Sequence, residues 1–182
     1  EIREVAKGYG LISDYQRPAS LATDKSGKIG AIEDVLLSTE SKRGVVFDYI
    51  LDLDVTSPLR TVEDLESVFQ LIIADKEANN LFSVSDANRN PYFNMVEKRG
   101  DYYFKVKDLG SILSCQEAPV VYDMNASFYF YRRSFFDAEN DSVFTDKTLI
   151  YNVPHLCFDL DEPIDFEFMS FLLQKNKLNF KL

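Results

Sequence analysis

Residues 45–69 read VVFDYILDLDVTSPLRTVEDLESVF. The run Val45–Leu53 is nearly all apolar, as strands buried on both faces of a parallel sheet tend to be. Thr61 followed three residues later by Asp64 resembles a capping box. Val62, Leu65, Val68, Phe69 and Ile72 then recur at the spacing of one helical face. A strand that passes through a tight turn into an amphipathic helix is the repeating half of an α/β domain. The turn itself is unusual. One aspartate after a strand is ordinary turn chemistry, but Asp52 and Asp54 form an Asp-x-Asp pair, and Thr-Ser-Pro-Leu-Arg follows. Two carboxylates, a fixed turn and an arginine suggest a site for something polar.

The same alternation extends outward. The opening EIREVAKGYG carries Ile2, Val5, Ala6 and Tyr9 at helical spacing and ends at glycine. No N-cap precedes that stripe, so the chain is expected to begin inside a helix, with further protein upstream of Glu1. A loop, DYQRPASLATDKSG, leads to a helical stretch with Ile29, Ile32 and Leu36 on one face. After the helix of residues 62–72 a short strand is expected at Leu81–Ser85. YFNMVEKRGDYYFKVKD reads as a hairpin turning at Arg99-Gly100-Asp101, an excursion whose aromatic residues need a partner surface. The strands ASFYFY and TLIYNVP and a helix over Ile164–Gln174 complete the chain. These elements predict an α/β fold with a mostly parallel sheet. No repeat, low-complexity tract or linker divides it, so residues 1–182 form one domain.

The bulk properties exclude several roles. A chain of 182 residues with 46% hydrophobic and 14% aromatic content buries a sizeable core and is not disordered. The formal net charge of −10 argues against nucleic acid and anionic membrane surfaces as partners. No apolar run approaches the length of a membrane span. Cys115 and Cys157 match no zinc or redox spacing and fit free thiols of a reducing cytoplasm, which places the protein there. His155, the single histidine, lies in a proline-flanked loop and is read as structural rather than as a base.

A second Asp-x-Asp answers the first. FDLDEPIDFEF sets Asp159 and Asp161 two apart at the end of an expected short strand, where both carboxylates face one way and can meet one cation. Hard oxygen ligands of this kind suit Mg²⁺, which takes one or two carboxylates plus substrate phosphates. Asp161 is equally a good N-cap before Pro163, and the two roles are compatible. Ligands of open α/β sheets bind beyond the carboxyl ends of the strands, where both pairs are expected. The residues therefore predict a crevice for a metal and a phosphorylated ligand, without fixing the reaction.

LDLDVTSPLRTVEDLE, RPASLATD, RNPYFNMVE, EAPVVYDMNASFYF and FDLDEPIDFEF together resemble, in the family's order, the acylneuraminate cytidylyltransferases, the CMP-sialic acid synthetases. The resemblance covers essentially the whole chain, and the Asp-Leu-Asp and Asp-Met-Asn-Ala-Ser variants look closest to bacterial synthetases acting on legionaminic and similar nonulosonic acids. It implies a Rossmann-like three-layer sandwich with an inserted β-hairpin region at about residues 90–116 that makes a homodimer. It implies transfer of CMP from CTP to the anomeric hydroxyl of a nine-carbon sugar acid, with release of pyrophosphate and with Mg²⁺. The family's first strand and phosphate loop would precede Glu1, so the chain as given is expected to be inactive without them.

By the same resemblance, Asp159 and Asp161 are the catalytic metal ligands. Arg17 and Asp24 lie on the nucleotide side, Asp24 being equally a loop cap. Ser57 and Arg60 belong to the substrate turn, with Arg60 also open to a structural ion pair. Asn125 matches the asparagine of the family's Asn-Gly-Ala motif at the sugar pocket, and Phe144 matches an aromatic lining that pocket or is simply core. Two departures stand out. Asp54 replaces a glutamine that faces the sugar, which suggests a different substituent there. Ser114-Cys115-Gln116 replaces Arg-Arg-Gln, which removes the usual carboxylate clamp at Cys115 and leaves Arg132 or Arg133 as substitutes. Kdo-type cytidylyltransferase, nucleotide-sugar glycosyltransferase and non-catalytic fragment are the alternatives.

Overall fold

The computed structural model describes residues 2–23, 26–110 and 114–182. In chain order the elements are α1 (Ile2–Gly8), α2 (Lys28–Arg43), β1 (Tyr49–Leu53), α3 (Val62–Ala74), β2 (Asn80–Asp86), β3 (Val96–Arg99), β4 (Tyr102–Lys105), β5 (Tyr122–Arg132), α4 (Arg133–Asp137), β6 (Thr148–Asn152) and α5 (Pro163–Gln174). The main sheet has the order β1-β5-β2-β6, and β3-β4 form a separate two-stranded sheet.

The mixed α/β class is as expected, but the sheet is not mostly parallel in its pairing. β5 pairs antiparallel with both β1 and β2, and only β2 with β6 is parallel. β1, β2 and β6 thus run one way, with β5 inserted against them. The cause is the hairpin excursion. It leaves the sheet at Asp86 and returns at Tyr122, which pairs with Asp86, so the returning strand must run back along β2. An apolar run such as ASFYFY carries no mark of direction.

Period-2 alternation along β5 sorts its rings onto two faces. Tyr129 and Tyr131 join Phe82, Val84, Phe135, Phe136 and the α2 residues Ile29, Ile32 and Leu36. Phe128 and Phe130 join Leu81, Val153 and the α3 residues Val68 and Ile72. Helices therefore cover both faces of one sheet. Among the described residues no helix is long and apolar enough to cross a membrane.

Several boundaries differ from expectation. The strand begins at Tyr49 rather than Val45, because α2 ends at Gly44 in the left-handed conformation (φ +66°) and the chain turns before pairing. Val62 is 67% exposed rather than inward. The capping box of Thr61 and Asp64 is present. The expected strand under Asp159 and Asp161 is irregular chain, and α5 is capped by Glu162 with Asp165, not by Asp161. The β3–β4 hairpin turns through Gly100 at φ +63°, and Tyr102, Tyr103 and Phe104 remain exposed on it.

Candidate functional site at the strand ends

The turn after β1 is fixed from several sides. Asp54 Oδ1 accepts the Thr56 amide at 3.0 Å and the Thr56 hydroxyl at 2.8 Å. Arg60 Nη1 donates to the carbonyls of Asp54 (2.8 Å), Ser57 (2.8 Å) and Ser127 (3.0 Å). The buried Ser57 hydroxyl donates to the Asn125 carbonyl at 2.7 Å, and the Ser127 hydroxyl donates back to the Ser57 carbonyl at 3.0 Å. Arg60 is therefore a brace between the turn and β5. Burial holds its guanidinium below the usual arginine value.

Asn125 is buried, donates to the Ser85 hydroxyl at 2.9 Å and accepts from the Ser127 amide at 3.3 Å. Between them Ala126 has φ +53°, a left-handed conformation that costs an L-residue roughly 1–2 kcal/mol. It coincides with the shift of register between β2 and β5.

Asp159 reaches the same turn because the Leu160 amide donates to the Thr56 carbonyl at 2.7 Å. Its Oδ1 is buried and has no hydrogen-bond partner. Burial, and then the charges of Asp161 and Asp54, push its carboxyl above the usual range against the pull of the Ser57 hydroxyl. An orphaned carboxylate oxygen among like charges is the environment a cation would relieve. Among the described residues no group of three or more His, Cys, Asp or Glu could hold a metal by itself. Asp159, with Asp161 two residues on, offers hard oxygen donors of the class that Mg²⁺ takes together with phosphate oxygens.

A cleft of about 600 Å³ opens beside the turn, lined by Tyr15, Arg17, Thr23, Ser26, Lys28 and Asp52 among others. Lys28, which the sequence reading missed, is central there. Its Nζ lies 2.7 Å from Asp52 Oδ2, 3.2 Å from Asp54 Oδ2 and 4.4 Å from the Tyr129 ring centroid. Burial opposes its charge, but the two aspartates outweigh burial and raise the ammonium above its usual value. Asp54 is conversely held low: burial would raise it, and Thr56 and Lys28 prevail. Lysine in SGKIG gives no sign of its partners, which are set by the approach of α2 to β1.

The structure brings Asp54, Ser57, Arg60, Asn125 and Asp159 together, with Arg17 in the adjoining cleft. Asp161 is exposed, and its amide donates to Asp165 Oδ2 at 3.1 Å. Asp24 and the side chain of Cys115 lie outside the described residues. Phe144 is not gathered in. It is 66% exposed on the loop entering the amino end of β6, with its ring edge-on to Phe82 at 5.6 Å. Arg132 and Arg133 stand at the far end of β5. Arg132 donates to the carbonyls of Ile72, Ala78 and Asp75, and Arg133 pairs with Glu40 and Asp137. His155 is structural: Nε2 lies 2.9 Å from Asp64 Oδ2, and its ring stacks on Phe180 at 3.7 Å. The Cys157 thiol is free and burial raises its pKa.

No family model matches the chain. Among curated proteins it is 36% identical over its whole length to post-translational flagellin modification protein B of Campylobacter coli, spanning 76% of that protein. It is 36% identical over 98% of its length to CMP-N,N'-diacetyllegionaminic acid synthase of Campylobacter jejuni, spanning 75% of it. It is 28% identical over 97% of its length to the Legionella pneumophila protein of the same name. With collinear relatives over nearly all of its residues, two of them at 36% identity, the chain belongs to the acylneuraminate cytidylyltransferase family, beside the legionaminic acid synthases.

Proposed function

We propose that the protein transfers CMP from CTP to the anomeric hydroxyl of a nonulosonic acid of the legionaminic type, releasing pyrophosphate, in a Rossmann-like site. The observation that carries this reading is Asp159, whose buried oxygen has no hydrogen-bond partner and whose carboxyl is pushed up by burial and by the charges of Asp161 and Asp54. Asp159 and Asp161 would hold Mg²⁺, which when bound neutralises charge on the triphosphate. In-line attack on the α-phosphate needs positioning more than a covalent nucleophile. The Arg60 brace and the Ser57–Asn125 contact supply it by fixing the turn relative to β5. Arg17 lies on the nucleotide side of the cleft. Asp54, with its oxygens held by Thr56 and Lys28, faces the sugar side and tunes which acid is accepted. The exposed β3–β4 hairpin is the dimer contact, since its aromatic surface is of the kind that marks an interface.

The test is pyrophosphate release from CTP with N,N'-diacetyllegionaminic acid and, separately, with N-acetylneuraminate. Transfer that depends on the sugar acid and is lost in Asp159→Asn supports the reading. Cleavage of a CMP-sugar with transfer of the sugar, and no turnover of CTP, would replace it with a glycosyltransferase.

A further inference from the structure

Lysine is an unexpected residue where Lys28 stands. It is the first residue of α2, whose N-cap is Gly27 without a side-chain cap and whose first turn has no acidic residue. The helix dipole disfavours a cation at that end, so helix preferences do not account for it. The surroundings do. Asp52 and Asp54 bring Oδ2 atoms to 2.7 and 3.2 Å from one point, and the Lys28 ammonium occupies that point. One carboxylate is fastened and the other is carried on the strand beside it. Asp52 lies in β1, opposite Tyr129 in the register with β5, and Asp54 has its other oxygen fastened to Thr56. The Tyr129 ring closes a third side at 4.4 Å, where its face attracts a cation. Two carboxylates converging on one position are also what a divalent ion of the hard-oxygen class would use. The Leu160 amide donates to the Thr56 carbonyl at 2.7 Å and Thr56 is fastened to Asp54, so the two acidic pairs share one neighbourhood.

We propose that Lys28 is the resident cation of the Asp52–Asp54 pair. It keeps divalent metal out of the turn after β1 and confines metal to the Asp159–Asp161 side of the cleft. The second half rests on the reading of Asp159 and Asp161 as metal ligands given above. Lys28 is thus a positioning residue. It divides four neighbouring carboxylates into a pair that has a protein counter-ion, in which Asp52 Oδ2 is held by the ion pair without a hydrogen bond of good geometry, and a pair left for an external ion.

The experiment is a Mn²⁺ titration followed by the electron paramagnetic resonance signal of the free ion. It compares the wild-type protein, Lys28→Met, Lys28→Arg and the double variant Lys28→Met/Asp52→Asn, each first shown to be folded by circular dichroism. Lys28→Met should bind an additional Mn²⁺ per chain, Lys28→Arg should bind as wild type does, and Asp52→Asn should abolish the gain. An unchanged stoichiometry in Lys28→Met overturns the proposal, as does a gain that survives Asp52→Asn. If Lys28→Met does not fold, Lys28→Gln, which also removes the charge, is used under the same criteria. Asp159→Asn, titrated in parallel, reports on the underlying reading alone. If it retains the wild-type ion, that reading fails, while the gain in Lys28→Met still decides the role of Lys28.

Discussion

Arg60→Met tests whether the arginine of the TSPLR turn holds the site together or touches a substrate. A single nitrogen, Nη1, donates to the carbonyls of Asp54, Ser57 and Ser127. Hydrogen bonds to a charged group contribute about 1.5–3 kcal/mol each, though not additively. Methionine matches much of the aliphatic stem and supplies no donor. The carbonyls lie near the cleft and regain part of their hydration, and the variant is relieved of the cost of burying a guanidinium. A net loss of about 2–3 kcal/mol follows, a large share of the roughly 5–15 kcal/mol that stabilises a typical domain. With a urea m-value of about 2 kcal/mol/M, the unfolding midpoint should fall by about 1–1.5 M at unchanged m. Far-ultraviolet circular dichroism against urea measures this directly. A midpoint within about 0.2 M of wild type, accompanied by loss of CTP or sugar-acid binding, would refute the brace and make Arg60 a substrate contact.

Asp159→Asn should lower CMP transfer by orders of magnitude, since a lost metal ligand removes charge stabilisation from the transition state. It should also raise the melting temperature at neutral pH. The native pKa of Asp159 lies above its ordinary value, so its ionised form costs stability, fully so above the native pKa. The gain should shrink as pH falls through that pKa and vanish below the ordinary carboxylate range; an equal gain at all pH values would disprove the linkage. Asp161→Ala should lose activity with little change in melting, because Glu162 caps α5; a drop of several degrees would restore Asp161 as a cap. Ala126→Val should cost at least roughly 1–2 kcal/mol more than Ala126→Gly in urea unfolding, because φ is +53° there; equal midpoints would contradict the strained geometry. Tyr102→Asp with Phe104→Asp should turn a dimer into a monomer by light scattering, and a dimer that persists would place the interface elsewhere.

The α3 capping box, the hairpin at Gly100 and the gathering of Asp54, Ser57, Asn125 and Asp159 were legible because each depends on short-range chemistry or on an ordered motif. The direction of β5 was not, because an apolar run is symmetric and only the return of the excursion to Asp86 decides it. The capping of α5 was misread by one residue, since Asp161-Glu162-Pro163 offers two acidic candidates and only backbone geometry chooses between them. Lys28 was invisible for a different reason. Its partners lie 24 and 26 positions away (52 − 28 and 54 − 28) on another element, and no local pattern encodes that meeting. Arg132 and Arg133, named as substitutes for the missing clamp, follow a strand whose reversal takes them to the opposite end of the sheet.

The excursion between β2 and β5 has a narrow neck. It leaves at Asp86 and returns at Tyr122, a cross-strand pair, and the buried Asn90 ties its own stem by donating to the Pro119 carbonyl at 2.9 Å. A segment whose two ends are already neighbours is a removable module. The sheet registers and both helix-covered cores close without it, so its length and surface can change while the strand-end chemistry stays put. The surface of the excursion can therefore diversify separately from the strand ends, in a module that a short turn between residues 86 and 122 could replace.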